Sequence, residues 1–134
     1  MPHLTIEISE RIAASVSLPA LCDHLHGAMV GCGIFPLEGI RVRAYVPQAC
    51  AIADRDPANG FVALLLNVGH GRARAELATA GERLFDAARA FLADRRGGHF
   101  ALSLEIREID PDLTWKENGI RTRLAAADTQ GVRA

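Results

Sequence analysis

Lysine is almost missing from this chain: of 15 basic residues, only Lys116 is not arginine. Alanine is abundant too, a pattern that fits a coding bias, so the role of any one arginine must be argued from its position. A dominant charge sign is missing as well, since 16 acidic residues leave a net charge of −1. That balance gives no electrostatic reason to expect nucleic acid or an anionic membrane as partner. No apolar run approaches the roughly 18 residues of a membrane span, and the N-terminus lacks the basic-then-apolar layout of a secretion signal. The three cysteines, Cys22, Cys32 and Cys50, are odd in number and show no CxxC spacing. They read as reduced packing thiols of a cytoplasmic protein. No paired-cysteine or HExxH metal motif, no Walker A and no GxGxxG fingerprint occurs. What remains is a chain of 134 residues, 49% apolar, long enough for one domain with a modest core.

The first eight residues, Met1-Pro2-His3-Leu4-Thr5-Ile6-Glu7-Ile8, organise the rest. Leu4, Ile6 and Ile8 share one face and His3, Thr5 and Glu7 the other, the period of a half-buried strand. Ser9 to Val16 reads as a connection with one helical turn. Ser17-Leu18-Pro19 opens a helix with a serine N-cap and an early proline. Leu21, Leu25, Ala28, Met29 and Cys32 follow as its apolar stripe, with Gly31, Gly33 and Pro36 to end it. Ile40 to Val46 alternates again, completing a β-α-β unit with parallel pairing. After an irregular stretch comes Phe61 to Val68, almost continuously apolar, as in a strand covered on both faces. A second helix is expected over Ala73 to Leu92 and a fourth strand over Phe100 to Ile109. The predicted fold class is therefore α+β: two consecutive β-α-β units forming a four-stranded sheet with two helices on one face. The uncovered face needs a partner, so an oligomer is expected. Asp110 onward reads as coil. Its Trp115, the only tryptophan, is expected to be buried and to staple subunits. Residues 1–124 form the domain and 125–134 a loose tail.

Few residues stand out for chemistry. His24 and His26 lie two apart on a helix and point in different directions, which argues against a metal site. His70, in Gly69-His70-Gly71-Arg72, sits where a helix begins and anions are attracted, or is simply a solvated loop residue. The set that draws attention is Pro2, Arg41 and Arg72. An initiator methionine followed by proline is normally trimmed, which would leave Pro2 as a free secondary amine on a strand. Arg41 opens the second strand and Arg72 the second helix, and the parallel layout could bring both near Pro2. Guanidinium groups bind carboxylates through paired, charge-assisted hydrogen bonds. Their charge and an apolar pocket would lower the amine's pKa, poising it as a general base near neutral pH.

Met1-Pro2-His3, the block Gly33-Ile34-Phe35-Pro36-Leu37-Glu38-Gly39-Ile40-Arg41-Val42-Arg43, and Gly69-His70-Gly71-Arg72 resemble the 5-carboxymethyl-2-hydroxymuconate Δ-isomerase family of the tautomerase superfamily. The likeness continues in Ser103-Leu104-Glu105-Ile106 and in Pro111, Leu113, Lys116 and Asn118, covering residues 2–124. It implies a homotrimer with sheets facing its centre and a proton shift without cofactor or metal in homoprotocatechuate breakdown. The implied substrate is a small carboxylated dienol. By the resemblance, Pro2 is the catalytic base, and Arg41 and Arg72 engage carboxylate and carbonyl groups. The pattern departs at Ala44-Tyr45-Val46-Pro47 and over Ala51 to Gly60, a region that could border the pocket. Two other readings remain open on sequence: a ferredoxin-like module that binds a small ligand without turnover, and a tautomerase with a different substrate.

Overall fold

Strict alternation in the first strand places its apolar residues against the helices. The computed structural model describes residues 1–129, and in it β1 (His3–Ile8) buries Leu4, Ile6 and Ile8 completely. A four-residue helix, α1 (Glu10–Ala13), leads to α2 (Leu18–Gly31), then β2 (Arg41–Tyr45), β3 (Gly60–Gly69), α3 (Arg74–Phe91), β4 (Phe100–Ile109) and α4 (Gly119–Thr129). The sheet order is β2-β1-β3-β4. β1 runs parallel to β2, β3 runs parallel to β4, and β1 and β3 pair antiparallel at the centre. The expected pair of β-α-β units is therefore present, the two units lying head to tail.

The register fixes the core. Leu4 opposes Leu66, Ile6 opposes Leu64 and Ile8 opposes Val62. These residues meet Leu21, Leu25 and Met29 of α2 and Leu77, Ala80, Leu84 and Ala88 of α3. Fully burying each large aliphatic side chain stabilises by about 1.5–3 kcal/mol, so this one layer carries most of the fold. Ser17 accepts a hydrogen bond from the Ala20 amide at 3.2 Å, the N-cap expected of α2. His24 bridges the two helices, its Nε2 lying 3.1 Å from the Ala87 carbonyl oxygen and its ring against Phe91. It is a packing residue.

On the opposite face, Phe61, Ala63 and Leu65 of β3 are only half-buried. The single chain thus closes one face of β3, not both. One further expectation needs correction. The segment after Asp110 is not all coil, because α4 spans Gly119–Thr129. Its apolar pattern is weak, but Asn118 caps it by accepting from the amides of Ile120 and Arg121 at 3.1 and 3.2 Å, and the run Leu124 to Ala127 favours helix. Of the tail expected to be loose, residues 130–134 lie outside the described residues. Trp115 is not buried within the chain but 85% exposed, as no described element passes over the arm. Finally, the loop 46–59 leaves the end of the sheet where β1 finishes, opposite Pro2. Within one chain it does not border the start of β1.

Ser9 joins the end of β1 to β3. It is buried, its amide donates to the Phe61 carbonyl at 3.0 Å, and its Oγ accepts from the Phe61 amide at 2.9 Å. Ser9→Ala would strand that amide, at a cost of about 1–3 kcal/mol. Urea unfolding at fixed protein concentration should show a lower midpoint with an unchanged slope; an unchanged midpoint would contradict this role.

Candidate active site

The sheet brings one set of ends together. Residue 2 precedes β1, Arg41 begins β2, Arg72 follows the end of β3, and the arm from 110 to 118 continues from β4. The parallel pairing of β1 with β2 places His3 opposite Arg41, and the Arg41 amide donates to the Pro2 carbonyl at 3.0 Å. Pro2 is fully buried. A chain end is usually frayed; this one enters the central strand of the sheet.

Gly39 makes the approach possible. A Cβ there would lie 3.0 Å from the Pro2 Cδ and 3.5 Å from the Met1 Cα. Any larger residue would press on the proline ring. Gly71 has a φ of 120°, a left-handed conformation open to glycine and strained for other residues, and it turns the chain so that Arg72 faces back. Arg72 donates through Nε to the Ile34 carbonyl at 3.0 Å and through Nη1 to the Gly69 carbonyl at 3.2 Å. Its guanidinium carbon lies 5.3 Å from the centre of the Phe35 ring. Arg41 donates through Nη1 to the Glu38 and Ile40 carbonyls at 2.9 and 3.1 Å. Backbone tethers thus aim both guanidinium groups, and each keeps an Nη2 without a protein partner among the described residues.

The electrostatics show the cations at this end of the sheet acting on the chain terminus. Burial, then the Lys116 ammonium through charge and a side-chain hydrogen bond, then Arg72 and Arg41, hold the amine of Met1 below its usual value of 8.0. The His3 imidazole is held below 6.5 by burial, then by Arg43, Arg41 and the amine. Its Nδ1 lies 3.3 Å from Arg43 Nη1. Such a cluster of cations, with the amine kept toward its neutral form, attracts anions and accepts protons.

Two cavities flank Met1. One, of about 250 Å³, is lined by Met1, Pro36, Glu38, Gly39, Lys116, Asn118 and Arg121. The other, of about 380 Å³, is lined by Met1, His3, Asn67, Gly69, Ile109, Thr114, Trp115 and Lys116. Met1 and Lys116 belong to both. The carboxylate of the first cavity, Glu38, faces Arg121 at 3.8 Å.

Other residues with chemical potential lie elsewhere. His70 is largely exposed and pairs with Glu108 at 3.4 Å, as a solvated loop histidine would. Burial pushes the thiols of Cys22 and Cys32 up, away from thiolate chemistry. Among the described residues no three metal-ligating side chains converge, and no helix is long and apolar enough to cross a membrane. Residue patterns alone gave Lys116 no role at the site. The available signals were its being the sole lysine among so many arginines and its place among the residues that carry the family resemblance. Gly39 left no signal beyond its place in the Gly33–Arg43 block.

Comparison with known proteins gives the family and the fold. Residues 2–124 match the family described as 5-carboxymethyl-2-hydroxymuconate isomerase. The chain is 35% identical over 121 residues to the 5-carboxymethyl-2-hydroxymuconate Delta-isomerase of Escherichia coli, covering 90% of this chain and 96% of that one. The crystal structure of a 5-carboxymethyl-2-hydroxymuconate isomerase from Deinococcus radiodurans R1 superposes with a TM-score of 0.84 at 35% identity, covering 92% of this chain and 93% of that one. A fused 4-OT wild-type symmetric trimer shares the fold at 20% identity, with a TM-score of 0.54 over 79% of this chain and 85% of that one. With two β-α-β units in one four-stranded sheet and a buried proline just before the first strand, the protein belongs to the 5-carboxymethyl-2-hydroxymuconate isomerase family.

Proposed function

We propose that the protein is a cofactor-independent isomerase that moves a proton within 5-carboxymethyl-2-hydroxymuconate, the compound for which its Escherichia coli relative is named. The observation that carries this reading is the convergence of Lys116, Arg72 and Arg41 on the chain terminus at Met1, one residue from the Pro2 nitrogen. Removal of Met1 makes Pro2 a secondary amine. While Met1 is present, the Pro2 nitrogen is an amide without basicity, and Met1 occupies the ground between the two cavities. Trimming therefore frees both the base and the space for substrate.

The chemistry follows from charge. The neutral amine takes the proton from the enol oxygen, the electron pair shifts through the conjugated double bonds, and the resulting ammonium returns a proton to carbon. Nothing is oxidised or reduced. Negative charge develops on the former enol oxygen, and the unpartnered Nη2 groups of Arg41 and Arg72 supply fixed donors for that oxygen and an adjacent carboxylate. At pH 7 an ordinary α-amine of pKa about 8 is roughly nine-tenths protonated and inactive as a base. Once Met1 is trimmed, the Pro2 amine meets the burial and the cations that lower the Met1 amine, and these enlarge the active fraction. The half-open β3 face and the exposed Trp115 arm support a homotrimer in which neighbouring copies cover both.

Intact mass should show the chain without Met1. Processed Pro2→Ala should then lose about 10²–10⁴-fold in kcat/KM for dienol ketonisation; unchanged turnover would rule out the proline base. Arg41→Ala should cost roughly 2–4 kcal/mol of transition-state stabilisation, seen mainly in kcat. The acid limb of the kcat/KM profile should lie below the ordinary pKa of a proline amine, because the active form is the neutral amine and the burial and cations that lower the Met1 amine surround Pro2 as well. Removing Arg72 should move that limb to higher pH; a shift to lower pH, or none, would contradict the electrostatic assignment.

A further inference from the structure

The site holds one cation more than a base and a dicarboxylate would need. Arg41 and Arg72 are each tethered to backbone carbonyls. Lys116 is different. It lines both cavities beside Met1, it is exposed, and none of the ion pairs among the described residues involves it. The larger cavity is lined by no carboxylate at all. An ammonium without a carboxylate partner on the wall of such a space has a strong preference for an incoming anion.

The segment that carries Lys116 is also fixed. Asn118, two residues on, donates through Nδ2 to the Glu38 carbonyl at 3.0 Å, and its Oδ1 caps α4. That same carbonyl accepts from Arg41 Nη1 at 2.9 Å. One backbone oxygen therefore sets the spacing between Arg41 and the Lys116 arm. Trp115, beside Lys116, forms an apolar wall of the larger cavity.

We propose that Lys116 is the residue that selects a third carboxylate, binding it in the space beside Trp115 while Arg41 and Arg72 engage the enol and the remaining carboxylates. This rests on the function proposed above, since 5-carboxymethyl-2-hydroxymuconate carries three carboxylates. Lysine suits this role because its ammonium is a point charge on a flexible stem and reaches a mobile carboxymethyl arm, whereas the arginine forks demand a fixed plane. The carboxylate held by this contact does not itself react, so the contact strengthens ground-state and transition-state binding alike and discriminates mainly through KM, whereas the charge of Lys116 on the amine acts on tricarboxylate and dicarboxylate substrates equally.

Two unreactive probes on one carbon skeleton test this directly: tricarballylate, with three carboxylates, and glutarate, which lacks the central one. Calorimetry on processed wild type should show tighter binding of tricarballylate. In Lys116→Met that preference should fall roughly tenfold, the loss expected of one charge-assisted contact, and Lys116→Arg should restore part of it. In kinetics, the ratio of kcat/KM for a tricarboxylate dienol to that for its dicarboxylate analogue should fall in parallel, through KM. A Lys116→Met protein that keeps the wild-type preference, or weakens both probes equally, overturns the proposal, as does a wild type that does not discriminate. Failure of the isomerase reading would be seen separately, as a wild type that binds the probes yet turns over no dienol.

Discussion

Everything at this site depends on a chain end that does not fray. A terminal amine is useful as a base only if its position is defined to within a fraction of an ångström, and chain termini seldom are. Here β1 lies between β2 and β3, so backbone ladders on both sides hold the strand from His3 onward. Leu4, Ile6 and Ile8 anchor it in the core, each by roughly 1.5–3 kcal/mol. The hydrogen bond from Arg41 to the Pro2 carbonyl extends the ladder one residue further. The same bond seats Arg41 next to the amine, so the interaction that orders the terminus also supplies a cation to it.

Two physical effects meet at that amine and act in one direction. Burial disfavours the charged form, and so do neighbouring cations. For a lysine or a terminal amine both lower the pKa, unlike a buried carboxylate beside an arginine, where they compete. At the Met1 amine burial is the larger influence, followed by Lys116 and then by the arginines. The two arginines are themselves held in place by backbone carbonyls at Ile34, Glu38, Ile40 and Gly69. These lie at turns next to strand ends, where carbonyls are free of the sheet. The fold thus uses its loose ends to aim charge.

Most of this architecture was legible in the sequence because period-two and period-3.6 patterns report burial directly. β1, β2, β3 and β4, and both long helices, follow their apolar spacing closely. α4 escaped because it is held by a cap and by intrinsic propensity, neither of which leaves an apolar stripe. Trp115 was expected to staple subunits, and within one chain it is 85% exposed on the arm after β4. Pro2, Arg41 and Arg72 could be picked out from their places at strand and helix starts. Lys116 could not be, since its place at the amine depends on how the arm after β4 folds back over β1, held by Asn118 against Glu38. That contact spans 80 positions in sequence and is set by side-chain hydrogen bonding, not by periodicity.

The central claim is that the processed terminus is a proline amine whose pKa is depressed by burial and by the cations around it. Nitrogen-15 NMR of protein labelled at proline, titrated across pH, reads that ionisation without any substrate. Pro2 should titrate below the ordinary value of an N-terminal proline amine, lowered by the surroundings that lower the Met1 amine, and in Lys116→Met its pKa should rise. A Pro2 nitrogen that titrates at or above the ordinary value in the wild type, or that ignores the loss of Lys116, would contradict it.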